Sequence, residues 1–217
     1  MSEKYISKAV IGRLPRYYRY LGELLENDEE RISSEELSKL MKVTASQIRQ
    51  DFNNFGGFGQ QGYGYNVKYL YGEIGKILGV EQKHNVILVG AGNLGSALAK
   101  YPSFPKRGFT ISGIFDVNPD VIGKTLNGIM VRPMDEMEEF IVNNVIDIAA
   151  ITVPRDEAQT LAEKIVNAGV KAIWNFSPVD LNVGDDVVVE NVHMTDSLLK
   201  LSFNLAAMKS GKWDYRI

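Results

Sequence analysis

The chain has 217 residues, 45% of them hydrophobic, and a formal charge of −3, enough apolar material for a sizeable core and a length suited to two small domains. It has no cysteine and two isolated histidines, His84 and His193, which excludes disulfides and thiolate metal sites and argues against a histidine-based metal centre. No apolar run approaches the roughly 18 residues of a membrane span, and Met1–Ser7 lacks the apolar core of a signal peptide, so a soluble, cytoplasmic protein without a membrane partner is expected.

Val10, Ile11, Leu14, Tyr18, Leu21 and Leu25 recur at three- and four-residue steps, which predicts an amphipathic helix over Ser7–Leu25, distorted at Pro15 or starting there. Seven acids follow within Glu23–Glu36, whereas the rest of residues 1–80 holds ten bases against three acids, so a local basic face is compatible with the negative total. Ile32-Ser33-Ser34-Glu35-Glu36-Leu37 reads as a helix start, with Ser33 as cap, Glu36 reaching back and Ile32 packing on Leu37. The same grammar recurs in Val43-Thr44-Ala45-Ser46-Gln47-Ile48, with Thr44 as cap and Gln47 as its box partner.

On the helix from Ala45 to about Phe52, Ala45, Ile48 and Phe52 share one face and leave Ser46, Gln47, Arg49, Gln50 and Asn53 on the other. Arginine takes guanine and Gln or Asn takes adenine, so two capped helices on a short turn resemble a helix-turn-helix whose second helix, from its Thr44 cap onward, enters the major groove. The competing reading is a helical bundle with a solvated polar face. Residues 55–65 interleave glycine with aromatics, a pattern read as a β-wing with Gly62 and Gly64 in a tight hairpin, Gln60-Gln61 at the tip and Tyr63 beside it. Helical spacing returns over Val67–Leu78 and closes at Gly79 and a polar hinge, 80–83.

Beyond the hinge, apolar runs alternate with helical patterns: Val86–Val89, Ser96–Tyr101, Phe109–Phe115, Asp135–Val142, Asp147–Val153, Glu157–Ala168 and Ala172–Phe176. That alternation predicts a parallel sheet covered by helices. Gly90-Ala91-Gly92-Asn93-Leu94-Gly95 is a G-x-G-x-x-G between strand and helix: Gly90 for the turn, Gly92 for backbone approach to a pyrophosphate, Gly95 for close packing. Asp116 ends the second strand, 21 residues on, where a carboxylate binds the adenosine ribose and repels the 2′-phosphate of NADP, which selects NAD(H). The competing reading is a glycine-rich turn that binds nothing.

A dehydrogenase needs an acid or base beside the nicotinamide and usually a second domain for substrate, yet little chain follows Val187–Val189, and no catalytic centre is evident. The last helix, Thr195 to about Met208, has one apolar stripe of Leu198, Leu201, Leu205 and Met208 and another of Leu199, Phe203 and Ala206. Burial on both sides suggests insertion into a partner subunit by exchange between copies, against the alternative of a helix that covers its own sheet.

Taken in order, Arg13-Leu-Pro-Arg16-Tyr-Tyr-Arg19, Gln47-Ile-Arg49-Gln-Asp51 with Phe55-Gly56, Gly90–Gly95 with Asp116, Thr152-Val153-Pro154, Asn175-Phe-Ser-Pro178 and Asn191-Val-His-Met-Thr-Asp196 resemble the redox-sensing transcriptional repressors called Rex, over nearly the whole chain. The resemblance implies an α/β protein: a winged helix-turn-helix domain (1–79), the hinge, a Rossmann NAD(H)-binding domain (84–194), a swapped dimerisation helix (195–209) and a tail (210–217). It implies a homodimer that binds operator DNA, an inverted repeat, in its NAD⁺ or apo form and releases it on binding NADH. It also implies that Thr152, Val153 and Pro154 adjoin the cofactor, that Tyr101 and Phe104 approach the nicotinamide, and that Arg16, Tyr101 and Asp196 form an interdomain switch. The chain departs from the family at Gln60-Gln61, where a basic pair is common. An NAD-dependent oxidoreductase and a CoA-binding module remain the alternatives.

Overall fold

The computed structural model describes residues 6–55, 59–60 and 63–210, and the chain divides after Glu81 into two compact units. Among the described residues no helix is long and apolar enough to cross a membrane.

The first unit opens with α1, Lys8–Glu26, whose N-terminus is capped by the Ser7 side chain. The helix begins seven residues ahead of Pro15 and runs through it, so the proline does not mark its start. Pro15 and Ile11, the residue whose carbonyl loses its partner, both lie on the solvent face, where that carbonyl is accessible to water. α2, Ser34–Met41, carries the full capping box between Ser33 and Glu36, and Lys42 at φ 53° closes it in the left-handed region. α3, Ala45–Asn53, follows under the Thr44 cap. Three short strands form the wing sheet in the order β1, Arg31–Ile32; β3, Gly64–Asn66; β2, Gly59–Gln60. Gly64 has φ +69°, and a Cβ there would lie 2.8 Å from the Ile32 carbonyl oxygen, so the hairpin requires glycine. α4, Val67–Leu78, ends at Gly79 in the left-handed region. Leu14, Tyr17, Leu21, Leu37, Met41, Ile48, Phe52, Leu70 and Ile74 form one core across these helices.

The second unit is a seven-stranded sheet. From one edge it runs β10 (Val188–Asn191), β9 (Ala172–Asn175), β8 (Ile148–Ile151), β4 (His84–Val89), β5 (Phe109–Asp116), β7 (Ile129–Pro133) and β6 (Thr125–Leu126). All pairings are parallel except the β6–β7 hairpin. The chain lays strands on one side of β4, then returns to lay β8, β9 and β10 on the other, which makes the gap between β4 and β8 the topological switch point. α7 (Met137–Asn143) and α8 (Arg155–Asn167) supply Met137, Ile141, Ala158, Leu161 and Ile165 to the core on one face. α5 (Asn93–Ala99) covers part of the other, and the short α6 (Ser103–Lys106) follows it. α9, Met194–Ser210, ends the described chain.

The sheet contains one more core strand than the apolar runs predicted. β7 is five residues long, ends in Pro133 and buries only Val131 completely, so its periodicity is too brief to register.

Candidate nucleic-acid interface and dinucleotide crevice

α3 is fixed at its start by Thr44, whose hydroxyl accepts the Gln47 N–H at 3.1 Å. Gln47 does not return the bond as a box partner. Its amide nitrogen donates instead to Asp51 Oδ1 at 2.8 Å, one turn further along the helix. Ser46, Arg49, Gln50 and Asn53 are exposed on the face away from Ile48 and Phe52, and Arg49 donates to the Ser34 hydroxyl at 2.9 Å.

Asp51 received no role from the helical pattern, yet its side chain is wholly buried and accepts four hydrogen bonds. Arg13 Nε and Nη2 donate at 2.6 and 2.8 Å, the Tyr17 hydroxyl at 2.8 Å and Gln47 as above. Burial alone would push the Asp51 carboxyl up; the bonds from Arg13, Gln47 and Tyr17 and the Arg13 charge outweigh it and hold the carboxyl below its ordinary range. Burial pushes the Tyr17 hydroxyl far up, helped by its bond to Asp51. The signal in the sequence was Arg13 and Tyr17, four apart on the inner side of α1.

In the wing, Tyr63 is 71% exposed. Arg31 of β1 donates to its carbonyl at 3.2 Å, and the guanidinium lies 5.9 Å from the ring centroid. A cation therefore stands beside the wing although Gln60 and Gln61 are neutral; Gln61 and Gly62 lie outside the described residues.

At the switch point, Gly90 has φ +98°, and a Cβ there would meet the Thr152 carbonyl oxygen at 2.8 Å. A Cβ on Gly95 would fall 1.9 Å from the Gly90 carbonyl oxygen, so the first turn of α5 sits directly against the loop. Gly92 caps that helix without a side chain, and a Cβ there would meet nothing within 4 Å, leaving the backbone of Gly92, Asn93 and Leu94 open to a ligand. Thr152 Oγ1 donates to the Gly90 carbonyl at 2.8 Å, which ties the end of β8 to the loop. Val153 is buried and Pro154 precedes α8. Asp116 accepts the Ala91 N–H at 2.5 Å on one oxygen and the Asn118 N–H at 2.7 Å on the other, so the carboxylate stands at the loop's rim.

The connection from β9 to β10, residues 176–187, contains no helix and lays Val179, Leu181 and Val183 on the face that α7 and α8 cover. On the opposite face α5 and α6 leave part of the sheet bare. The sheet face there opens into an apolar trough of about 450 Å³, lined by Leu88, Ile111, Ala150, Trp174 and Val188 with Tyr101 and Phe104. The Tyr101 and Phe104 rings are 4.8 Å apart, and Phe104 meets Trp174 edge-on at 5.7 Å. Trp174, which the motifs did not single out, links the two aromatics to the sheet. On α9, Leu198, Leu199, Leu201, Phe203, Leu205 and Met208 are all more than half exposed.

Two family models match, one described as "DNA-binding protein N-terminus" over residues 5–53 and one as "CoA binding domain" over residues 81–179. A redox-sensing transcriptional repressor Rex from Caldanaerobacter subterraneus subsp. tengcongensis is 59% identical over 94% of this chain and 92% of its own length. The chain belongs to the Rex family. The Rex from Clostridioides difficile is 55% identical over 98% of this chain and 100% of its own. The Rex-family repressor RSP, crystallised with β-NAD⁺ and operator DNA, superposes with a TM-score of 0.90 at 56% identity, covering 97% of both chains. RSP with β-NADH gives 0.89 at 53%, covering 97% of this chain and 99% of its own.

Of the switch residues expected in a Rex chain, Arg16 belongs to the first unit, where its Nη2 donates to the Met41 carbonyl at 2.7 Å. Tyr101 and Asp196 belong to the second. Tyr101 is 52% exposed, and Asp196 lies exposed in the first turn of α9.

Proposed function

We propose that this chain is a redox-sensing transcriptional repressor of the cytoplasm, which binds an inverted-repeat operator as a homodimer in its NAD⁺ or apo form and releases it on binding NADH. One observation carries the reading: a winged helix with an amide- and arginine-bearing recognition helix and a glycine cradle with a ribose-side carboxylate occur in one chain. The relative RSP has been crystallised with operator DNA and β-NAD⁺, and with β-NADH.

On the DNA side the reading assigns Ser46, Gln47, Arg49, Gln50 and Asn53 of α3, with its Thr44 cap, to the major groove and Gln60, Gln61 and Tyr63 of the wing to the minor groove. Arg31 adds phosphate attraction beside Tyr63. On the cofactor side the Gly90–Gly95 backbone takes the pyrophosphate, Asp116 the adenosine ribose, and Thr152, Val153 and Pro154 border the nicotinamide half.

NADH and NAD⁺ differ in charge at the nicotinamide. An apolar setting penalises the cation by desolvation, and the faces of Tyr101 and Phe104 return on the order of 1 kcal/mol through cation–π attraction. The result is a preference for NADH that NAD⁺ competes against. The pair of Arg16 with Asp196, linked to Tyr101, carries the preference to the DNA-binding domains, and α9 of each copy covers the apolar trough of the other.

The match to a CoA-binding family model favours a second ligand, CoA. The phosphate on its adenosine ribose is repelled by Asp116, which argues for NAD(H). We read the crevice as a sensor rather than an enzyme; the late histidine, His193, is engaged by Asp180 at 3.0 Å.

The test is the anisotropy of a labelled duplex carrying the inverted repeat upstream of this gene, titrated with NADH over excess NAD⁺ at fixed salt. Release by NADH that NAD⁺ resists supports the reading. Binding indifferent to NADH overturns the sensor, and turnover of NADH with a carbonyl substrate restores the enzyme.

A further inference from the structure

Gln47 stands in the first turn of α3, the part of a recognition helix that meets base edges. Free in solvent, a glutamine amide turns either end outward and discriminates poorly. Here its nitrogen is committed to Asp51, a carboxylate that offers only acceptors. Asp51 in turn is held by both prongs of Arg13 and by Tyr17, so it has no freedom to follow a rotation of the amide. Gln47 Oε1 accepts no hydrogen bond from the described residues, and one N–H of the amide remains beside it.

We propose that Asp51 is a positioning residue for DNA specificity: through its buried network with Arg13 and Tyr17 it fixes the amide orientation of Gln47, so that an acceptor and one donor face the groove and select adenine at one position of each half-site. Adenine offers the matching pair, its N6 donor and N7 acceptor. The inference rests on the reading of α3 as the DNA-contacting helix.

The experiment selects bound duplexes from a pool in which both half-sites of an inverted repeat are randomised, for the wild type, Gln47→Ala and Asp51→Asn. The wild type is expected to enrich adenine at one position per half-site by roughly 5- to 150-fold, the discrimination of one bidentate contact. Gln47→Ala erases that preference there and nowhere else. In Asp51→Asn the acceptor-only carboxylate becomes a side chain that presents either end, and the Gln47 amide is no longer held one way. Adenine enrichment at that position falls, and guanine and thymine, whose groove edges carry acceptors, gain.

Adenine preference surviving in Gln47→Ala, or unchanged in Asp51→Asn, overturns the proposal. A second measurement stands independent of whether Asp51→Asn folds: in the DNA-free wild type, the Asp51-bonded proton of the Gln47 side-chain amide exchanges at least roughly tenfold more slowly than those of exposed Gln50, the protection of one bond to a charged group. Equal exchange overturns the proposal. Slow Gln47 exchange with no sequence enriched at all instead marks failure of the DNA-binding reading, which takes the specificity claim with it but leaves the Asp51 clamp standing.

Discussion

Arg13 of α1 and Asp51 of α3 meet in a two-pronged ion pair, 2.6 and 2.8 Å, with the carboxylate fully buried and the guanidinium side chain 23% exposed. The pair bolts α3 to the first helix of the unit across 38 positions of sequence. Removing the cation leaves a buried charge without its counter-ion, so Arg13→Ala is expected to cost about 3 kcal/mol, the low end for such a loss because water reaches the guanidinium. Denaturant unfolding of the variant measures it. A loss within about 0.5 kcal/mol, as for ordinary surface changes, would contradict it.

The same network sets opposite pH limits. Asp51 is depressed in the folded protein, so its contribution is present above the unfolded value of about 3.9 and disappears as pH falls through the lower folded value. Tyr17 is raised, so its contribution is present below an unfolded value of about 10 and is lost as pH rises beyond it. Thermal melts of Tyr17→Phe against wild type between pH 8 and pH 11, a range that brackets the value of about 10 for free tyrosine, should draw closer above pH 10, where the loss begins. Parallel curves would show that Tyr17 does not titrate differently on folding.

Gly95→Ala should damage both cofactor binding and fold. The added Cβ overlaps the Gly90 carbonyl, so the loop has to move; overpacking of this kind costs about 1–3 kcal/mol in stability. NADH affinity by calorimetry is expected to fall by roughly tenfold or more. Native affinity would mean that the dinucleotide does not lie on this loop.

Asp116→Asn keeps an oxygen for the Ala91 N–H but removes the charge at the loop's rim. The ratio of NADPH to NADH affinity should rise roughly tenfold, because the repulsion of the 2′-phosphate is gone. An unchanged ratio would place the adenosine elsewhere.

Leu201→Glu puts a carboxylate in the middle of the exposed apolar face of α9. Sedimentation should show a wild-type dimer and a predominantly monomeric variant at micromolar concentration, since an unpaired charge in an apolar interface costs several kcal/mol. A variant that remains dimeric would remove α9 from the interface.

The cradle and the caps were legible in the sequence because each rests on local need. Only glycine tolerates the backbone at Gly90 and Gly95, and Ser33 and Thr44 serve amides three residues away. β1 and β7 escaped, being two and five residues long, too short for a period of two to repeat. Asp51 escaped for a different reason. A helical pattern assigns acids to the solvent face, and what overrides the pattern is a partner in another helix. Gln47 followed it: a cap partner by spacing, it is drawn to Asp51 by the stronger acceptor. Trp174 joins Tyr101 and Phe104 through strand order, which residue spacing does not encode.

In the dimer proposed above, the bare sheet face beside α5 and α6 would make this protein's durability a matter of supply. With the trough covered by a second copy, folding and association become one equilibrium, and the melting temperature rises with the amount of protein present. A cell that makes few copies then holds a repressor that is both scarcer and softer, and dilution acts on it as a denaturant.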